Sequence, residues 1–398
     1  MKKHCNWRWC SFFSLMLLMF SVQGCLGLGG NGGPSNFNRT DTGSGQQLGV
    51  NNQVVFQGKL YFTINRTLWM LDGTRTPHQL TGKGTAVRDP AVSPDHKWIA
   101  FIIRYSNSAN LAYMPITGGK WQILRNGQGK YYYSGPFIHS SYTWQSQPAW
   151  SEDSSHLLFL SDFEKEDWYR YTPNSPLLDL QIFSISLADP TNVQDVAYAY
   201  FGDGGDRDPS YRPHHPDQII YTHYAYDDTR TKQVIQLFLE DPNAVAKYPR
   251  GHYHPGEPGF DPGVAITPPD VENIEPAFSP DGNSIAYIRR EGTDQMGLYV
   301  MPVPEGVTSD PNNPAVMQNA LLPYQKSSLI LRGQFISQPV WSPDGKQIAY
   351  LSYNNSTFDI WLATVSVDAK TGQYHMNGNP VQLTDGGIDA DSRPCWTT

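Results

Sequence analysis

The chain has 398 residues, 39% of them hydrophobic and 17% charged, which supplies a core for one large or two modest globular domains and excludes a chain disordered throughout. Aromatic residues make up 13%, and 35 glycines and 31 prolines favour short strands joined by tight turns over long helices. A formal net charge of −8 disfavours a nucleic-acid partner, since the phosphate backbone selects basic surfaces.

At the N-terminus, Lys2, Lys3 and Arg8 precede an apolar run, Ser11 to Val22, of a length that suits the core of an export signal and falls short of a bilayer span. The run closes on Val22-Gln23-Gly24-Cys25, which resembles the lipobox of bacterial lipoproteins. That resemblance implies removal of residues 1–24, lipidation of Cys25, and an extracytoplasmic protein held to a bacterial membrane in the cell envelope by its acyl chains. Gln23 stands where a small or β-branched residue is usual, so an ordinary secretory signal that happens to hold a Cys is the alternative. Cysteine usage fits lipidation. Cys5 and Cys10 leave with the signal, Cys25 carries the lipid, and Cys395 alone remains, so no intramolecular disulfide is expected. Loss of Lys2, Lys3 and Arg8 takes the formal charge from −8 to −11. Residues 25–52 run through a Gly-, Ser- and Asn-rich stretch too poor in apolar side chains to pack, read as a flexible tether.

One pattern then recurs six times. It appears at Asp89-Pro90-Ala91-Val92, Gln147-Pro148-Ala149-Trp150, Asp208-Pro209-Ser210-Tyr211, Glu275-Pro276-Ala277-Phe278, Gln338-Pro339-Val340-Trp341 and Arg393-Pro394-Cys395-Trp396, with Pro-to-Pro spacings of 58, 61, 67, 63 and 55 residues. The first five run on through a turn into an apolar strand, as in SPDGNSIAYI and SPDGKQIAYL. Pro pre-sets the turn, Asp bonds the backbone two residues on, and Gly accepts positive φ. Two further strand-like runs follow in each repeat, so one unit reads as a four-stranded antiparallel sheet, a propeller blade. The ends are complementary. Lys59 to Ile64, Thr67 to Leu71 and His78 to Thr81 are three strands lacking a first, and Ser392 to Trp396 is a first strand lacking the other three. The expectation is an all-β fold, a six-bladed β-propeller over residues 53–398, closed by the C-terminal strand joining the N-terminal blade.

The repeat core Pro-x-Trp-Ser-Pro-Asp-Gly with its small-apolar-aromatic strand, at Pro339 to Tyr350 and Pro276 to Tyr287, resembles the PD40 or WD40-like repeat of the TolB propeller family. The resemblance implies fold over about residues 53 to 398 and leaves function open, because the repeat serves exported binding proteins and the propellers of prolyl-oligopeptidase-type enzymes alike. A Gly-rich tether stands where TolB carries an α/β domain, which argues against a role in the Tol system, and no hydrolase domain is expected after the ring.

Two candidate sites follow. Loop aromatics Tyr131, Tyr132, Tyr133, Trp144, Trp168 and Tyr169 form either a patch for a protein or cell-wall glycan partner or the packing of long loops. The residue before each repeat Pro, Asp89, Gln147, Asp208, Glu275, Gln338 and Arg393, is expected to ring one mouth of the central channel. Its three acids would suit a basic group or a Ca²⁺ ion, unless Arg88, Arg207 and Arg393 neutralise them. His214, His215, His252 and His254 lack a closed ligand set, and neither a metal nor another cofactor is expected. Cys395 reads as a small buried apolar residue. The leading expectation is a lipid-anchored, monomeric protein- or glycan-binding module without catalytic residues. The alternatives are a glycan lyase or hydrolase using carboxylates such as Glu164, Glu166 and Asp167, and a purely structural envelope protein.

Overall fold

The computed structural model describes residues 36–43, 45–165, 179–199, 202–227, 229–247, 263–306, 319–354 and 356–398. The signal and Cys25 lie outside them. Four-stranded antiparallel sheets follow one another along the chain: Val87–Val92 to Gln122–Arg125, Gln145–Trp150 to Val193–Ala197, Asp206–Arg212 to Val264–Ala265, and Asn273–Phe278 to Ser328–Gly333. A five-stranded sheet begins with Ile336–Trp341. One further sheet unites both ends of the chain, with Cys395–Thr397 paired antiparallel to Lys59–Ile64, followed by Thr67–Asp72 and Pro77–Gln79. Each of these sheets packs its first strand beside the first strand of the next. Ile336–Trp341 lies against Cys395–Thr397, and Cys395–Thr397 against Val87–Val92, so the fold is a β-propeller.

The second strands explain why the apolar runs do not alternate. Trp98–Arg104 buries Ile99, Ala100, Phe101, Ile102 and Ile103 in succession, because both faces of each sheet are covered by its neighbours. Of the tryptophans at the end of the repeat core, Trp150 and Trp341 are tied to the preceding sheet and Trp396 to the segment that enters Lys59–Ile64. The Trp150 indole donates to the Ala91 carbonyl (2.9 Å), Trp341 to Ala277 (3.1 Å) and Trp396 to Gln57 (2.7 Å). The turns hold as the Asp side chain requires: Asp95 Oδ1 accepts the Ser93 hydroxyl (2.6 Å) and the Lys97 amide (3.1 Å). Asp153 repeats this with Ser151 and Ser155. The serine hydroxyls are the main reason both carboxyls sit low, at about 2.

The expected six-bladed propeller over residues 53–398, preceded by a tether, is corrected to a propeller of seven blades. A seventh sheet, of three strands, is formed by Phe37–Asp41, Gln47–Asn51 and Thr384–Asp385. It takes residues from Asn36 to Asn51 out of the tether and continues from the outer edge of the five-stranded sheet, where Val381–Gln382 pairs with Thr357–Val367. The Gly/Ser-rich stretch around residue 43 is a hairpin turn, closed by the Thr42 amide on the Gln46 carbonyl (3.1 Å). Leu48 (0% exposed) and Val50 (1%) enter the core beside Leu383 and Phe62. A Cβ at Gly49 would meet the Asp385 carbonyl at 3.0 Å, so the strand pairs closely there. Arg39 pairs with Asp385 across the same edge.

The hairpin generates a prediction that a tether would not obey. Leu48→Ala should destabilise the protein by about 2–5 kcal/mol, the cost of emptying a fully buried leucine site, measured by urea unfolding of the purified chain. A tether residue would leave the midpoint unchanged.

Candidate functional site

In five of the repeats the residue before the proline sits in the left-handed region: Asp89 (φ 49°), Gln147 (46°), Asp208 (57°), Glu275 (55°) and Gln338 (53°). Each lies in a β-bulge, where the pairing register shifts between Arg88 and Ala91, Ser146 and Ala149, Arg207 and Ser210, Ile274 and Ala277, and Ser337 and Val340. Such a conformation costs a side-chain-bearing residue about 1–3 kcal/mol, and hydrogen bonds around the channel offset it. Asp89 Oδ2 accepts the Gln147 amide (3.2 Å) and the Ser146 hydroxyl (3.3 Å), and its Oδ1 accepts the Arg393 amide (3.0 Å). Gln147 Oε1 accepts the Asp208 amide (2.7 Å), while its Nε2 donates to Asp208 Oδ1 (2.7 Å). Thr222 carries the next link, donating to Asp208 Oδ2 (3.3 Å) and accepting the Glu275 amide (3.1 Å). Glu275 then accepts the Gln338 amide on Oε2 (2.6 Å) and the Gln338 side chain on Oε1 (3.3 Å).

Arg393 does something different. Its guanidinium reaches the carbonyl of Pro209, in the sheet across the channel, and that of Pro148, each at 3.4 Å. It therefore bars the channel. Above this bar, on the face of the Pro-Asp-Gly turns, opens a funnel of about 620 Å³. Its walls are the repeat prolines Pro90, Pro148, Pro276 and Pro339 with Trp150 and Trp341, and its floor is Asp208, Glu275, Gln338 and Arg393. Burial, then the nearby Asp208 carboxylate, pushes Glu275 up to about 8, and burial raises Asp208 too against the pull of Arg393 and Arg207. Tyr224, beside the same acids, is pushed up to about 12, chiefly by burial.

The predicted channel residues are thus brought together, as floor and girdle of the funnel. Neutralisation by the neighbouring arginines takes another course. Among the described residues none comes within ion-pair distance of Asp89, Asp208 or Glu275: Arg88 pairs with Asp391, and Arg207 donates to the Asp206 carbonyl (2.5 Å) and lies over Tyr224. The aromatic loop is divided. Tyr131 (61% exposed) and Tyr133 (78%) project from a hairpin, Tyr131–Ser134 with Phe137–Ser140, while Tyr132 is half-buried. Trp144 is half-buried under Arg104. Trp168 and Tyr169 lie outside the described residues, as do Glu166, Asp167, His252 and His254. Glu164 accepts the Gln181 side chain (2.8 Å), and His214 meets Glu152 (3.1 Å) at the funnel rim. Cys395 lines the funnel, half-buried, its thiol pushed up by burial. Thr222 and Ser392, whose hydroxyl accepts the Asp89 amide (2.9 Å), were not distinguishable in sequence as parts of the girdle, since neither precedes a repeat proline.

These features define a β-propeller with an axial funnel blocked by an arginine. Among solved structures it is similar to TolB from Acinetobacter baumannii, with 15% identity over 86% of this chain and 67% of that one and a TM-score of 0.53. Two others are a TolB of Agrobacterium tumefaciens (15% identity, 62% and 75% covered, TM-score 0.42) and an oligogalacturonate lyase in complex with manganese (14%, 85% and 83%, 0.44). At these identities the likeness is one of fold alone. No family model matches the chain, and no curated protein matches it.

The floor predicts a pH dependence. Because the folded pKa of Glu275 lies above its unfolded value of 4.5, its contribution to stability is fully present below about pH 4.5 and is lost as pH rises through about 8. The melting temperature of Glu275→Gln relative to the parent should therefore rise by a few degrees between pH 5 and 8.5, measured by calorimetry across that range.

Proposed function

We propose that this chain is an extracytoplasmic lipoprotein, anchored through Cys25, whose propeller binds a segment of a protein or cell-wall partner in the axial funnel. The observation that carries the reading is the cavity of about 620 Å³ with apolar proline and tryptophan walls and a polar floor, the form expected of a binding pocket. Binding is favoured over catalysis by the use made of the carboxylates. Each oxygen of Asp89, Asp208 and Glu275 accepts at least one hydrogen bond from the protein's own amides and hydroxyls, so these carboxyls serve first to brace the ring. Tyr131 and Tyr133 offer a second contact surface, separate from the funnel.

Crosslinking pull-down from intact cells tests the site. Ala277→Phe, which narrows the funnel wall, should lose a partner that the parent captures, whereas the double change Tyr131→Ala and Tyr133→Ala should retain it. Retention in the first and loss in the second moves the site to the tyrosine hairpin. The anchor is tested separately: Cys25→Ser should move the protein from the membrane to the soluble fraction and abolish incorporation of labelled palmitate.

A further inference from the structure

We infer that the funnel floor is a seat for a cationic side chain, the ammonium or guanidinium of a lysine or arginine on a polypeptide partner. The inference rests on the reading that the funnel is the binding site, and concerns which chemistry it selects. The floor is rich in acceptors and short of free donors. Gln338 lines the cavity, and its Oε1, just beneath the surface, is buried with no hydrogen-bond partner. Beside it, Glu275 Oε1 has only a long contact of 3.3 Å from the Gln338 amide group, and each oxygen of Asp208 accepts a single donor. A carboxylate oxygen accepts two, so acceptor capacity is left over where an unmade hydrogen bond is costly.

Arg393 does not satisfy it, because its guanidinium is turned to the Pro148 and Pro209 carbonyls. Charge points the same way. Asp208 and Glu275 line the funnel with Arg393 and Arg212, with Arg207 and Tyr224 beside Asp208, and the two carboxyls, whose charged forms burial disfavours, gain as anions from a cation seated beside them. The apolar walls suit the methylene stem of a lysine or arginine, whose charged end alone needs the floor. Since burial and Asp208 hold Glu275 at about 8, it is largely protonated at neutral pH, and a cation seated beside it would ionise it with release of close to one proton.

The test uses three peptides, acetyl-Gly-Gly-Lys-Gly-Gly-amide and its norleucine and glutamate counterparts, titrated calorimetrically into the full chain in detergent at pH 7, in buffers of differing ionisation enthalpy. The lysine peptide is expected to bind at least about tenfold more tightly than the norleucine peptide, with proton release to the buffer. Glu275→Gln should erase both the preference and the release. Gln338→Met, which keeps the backbone link to Glu275 and removes the free acceptor, should weaken lysine binding, and circular dichroism establishes that both variants fold. Equal binding of lysine and norleucine overturns the inference and leaves the funnel reading standing. Preference for glutamate also overturns it, shifting recognition to Arg393, and absence of binding by all three peptides overturns both.

Discussion

The structure depends on a side chain reaching from one sheet to the backbone of the next at the level of the bulges. Asp89 to Gln147, Gln147 to Asp208, Asp208 through Thr222 to Glu275, and Glu275 to Gln338 form a chain of such links, and at its start Asp89 also accepts the Arg393 amide from the sheet before it. The left-handed backbone at these positions turns the amide of each bulge residue toward its neighbour, so strain and hydrogen bond are two aspects of one arrangement. Removing a single partner would leave a buried amide or carboxylate unpaired, which costs more than the bond itself contributes. The sheets could pack face to face through their apolar side chains alone, but those contacts are non-directional; the polar girdle determines how neighbouring sheets are set at the axis.

The same girdle makes the funnel. Bulging the first strand draws the polar residue into the channel and leaves the following Pro, small residue and aromatic to line the wall toward the turn face. Recognition chemistry and structural bracing therefore share atoms: Glu275 holds the Gln338 amide with one oxygen and presents the other to the cavity. Because burial holds its proton to about pH 8, the floor exchanges charge with a ligand more readily than an exposed carboxylate would.

A second polar anchor ties down the seventh sheet. Asp359, buried in the five-stranded sheet, accepts from the hydroxyls of Thr357 (2.8 Å) and Thr384 (3.2 Å) and from the amides of Gly386 (3.0 Å) and Gly387 (3.3 Å). These donors bracket Thr384–Asp385, the strand against which Gln47–Asn51 is laid. Here a carboxylate fixes a turn and the turn supplies an edge on which a distant hairpin adds.

Much was legible in the residues alone. The Pro-x-aromatic repeat and its turns specify antiparallel sheets because proline, aspartate and glycine act on the backbone locally, and the complementary ends pointed to a strand from Ser392 to Trp396 beside Lys59–Ile64, which the structure has at Cys395–Thr397. The repeat also singled out the six channel residues, since whatever precedes the same proline in successive sheets must occupy the same level of the axis. Tertiary structure decided the rest. Leu48 and Val50 lie among glycines and polar residues, and only an edge more than three hundred residues away makes them a strand, which no local pattern reports. Likewise the identity of Asp208 and Glu275 says nothing of their protonation, nor that of Arg393 of its reach to Pro209. Those follow from burial and from which groups the closed sheets bring face to face, and electrostatics in a confined channel is set by neighbours that the sequence keeps far apart.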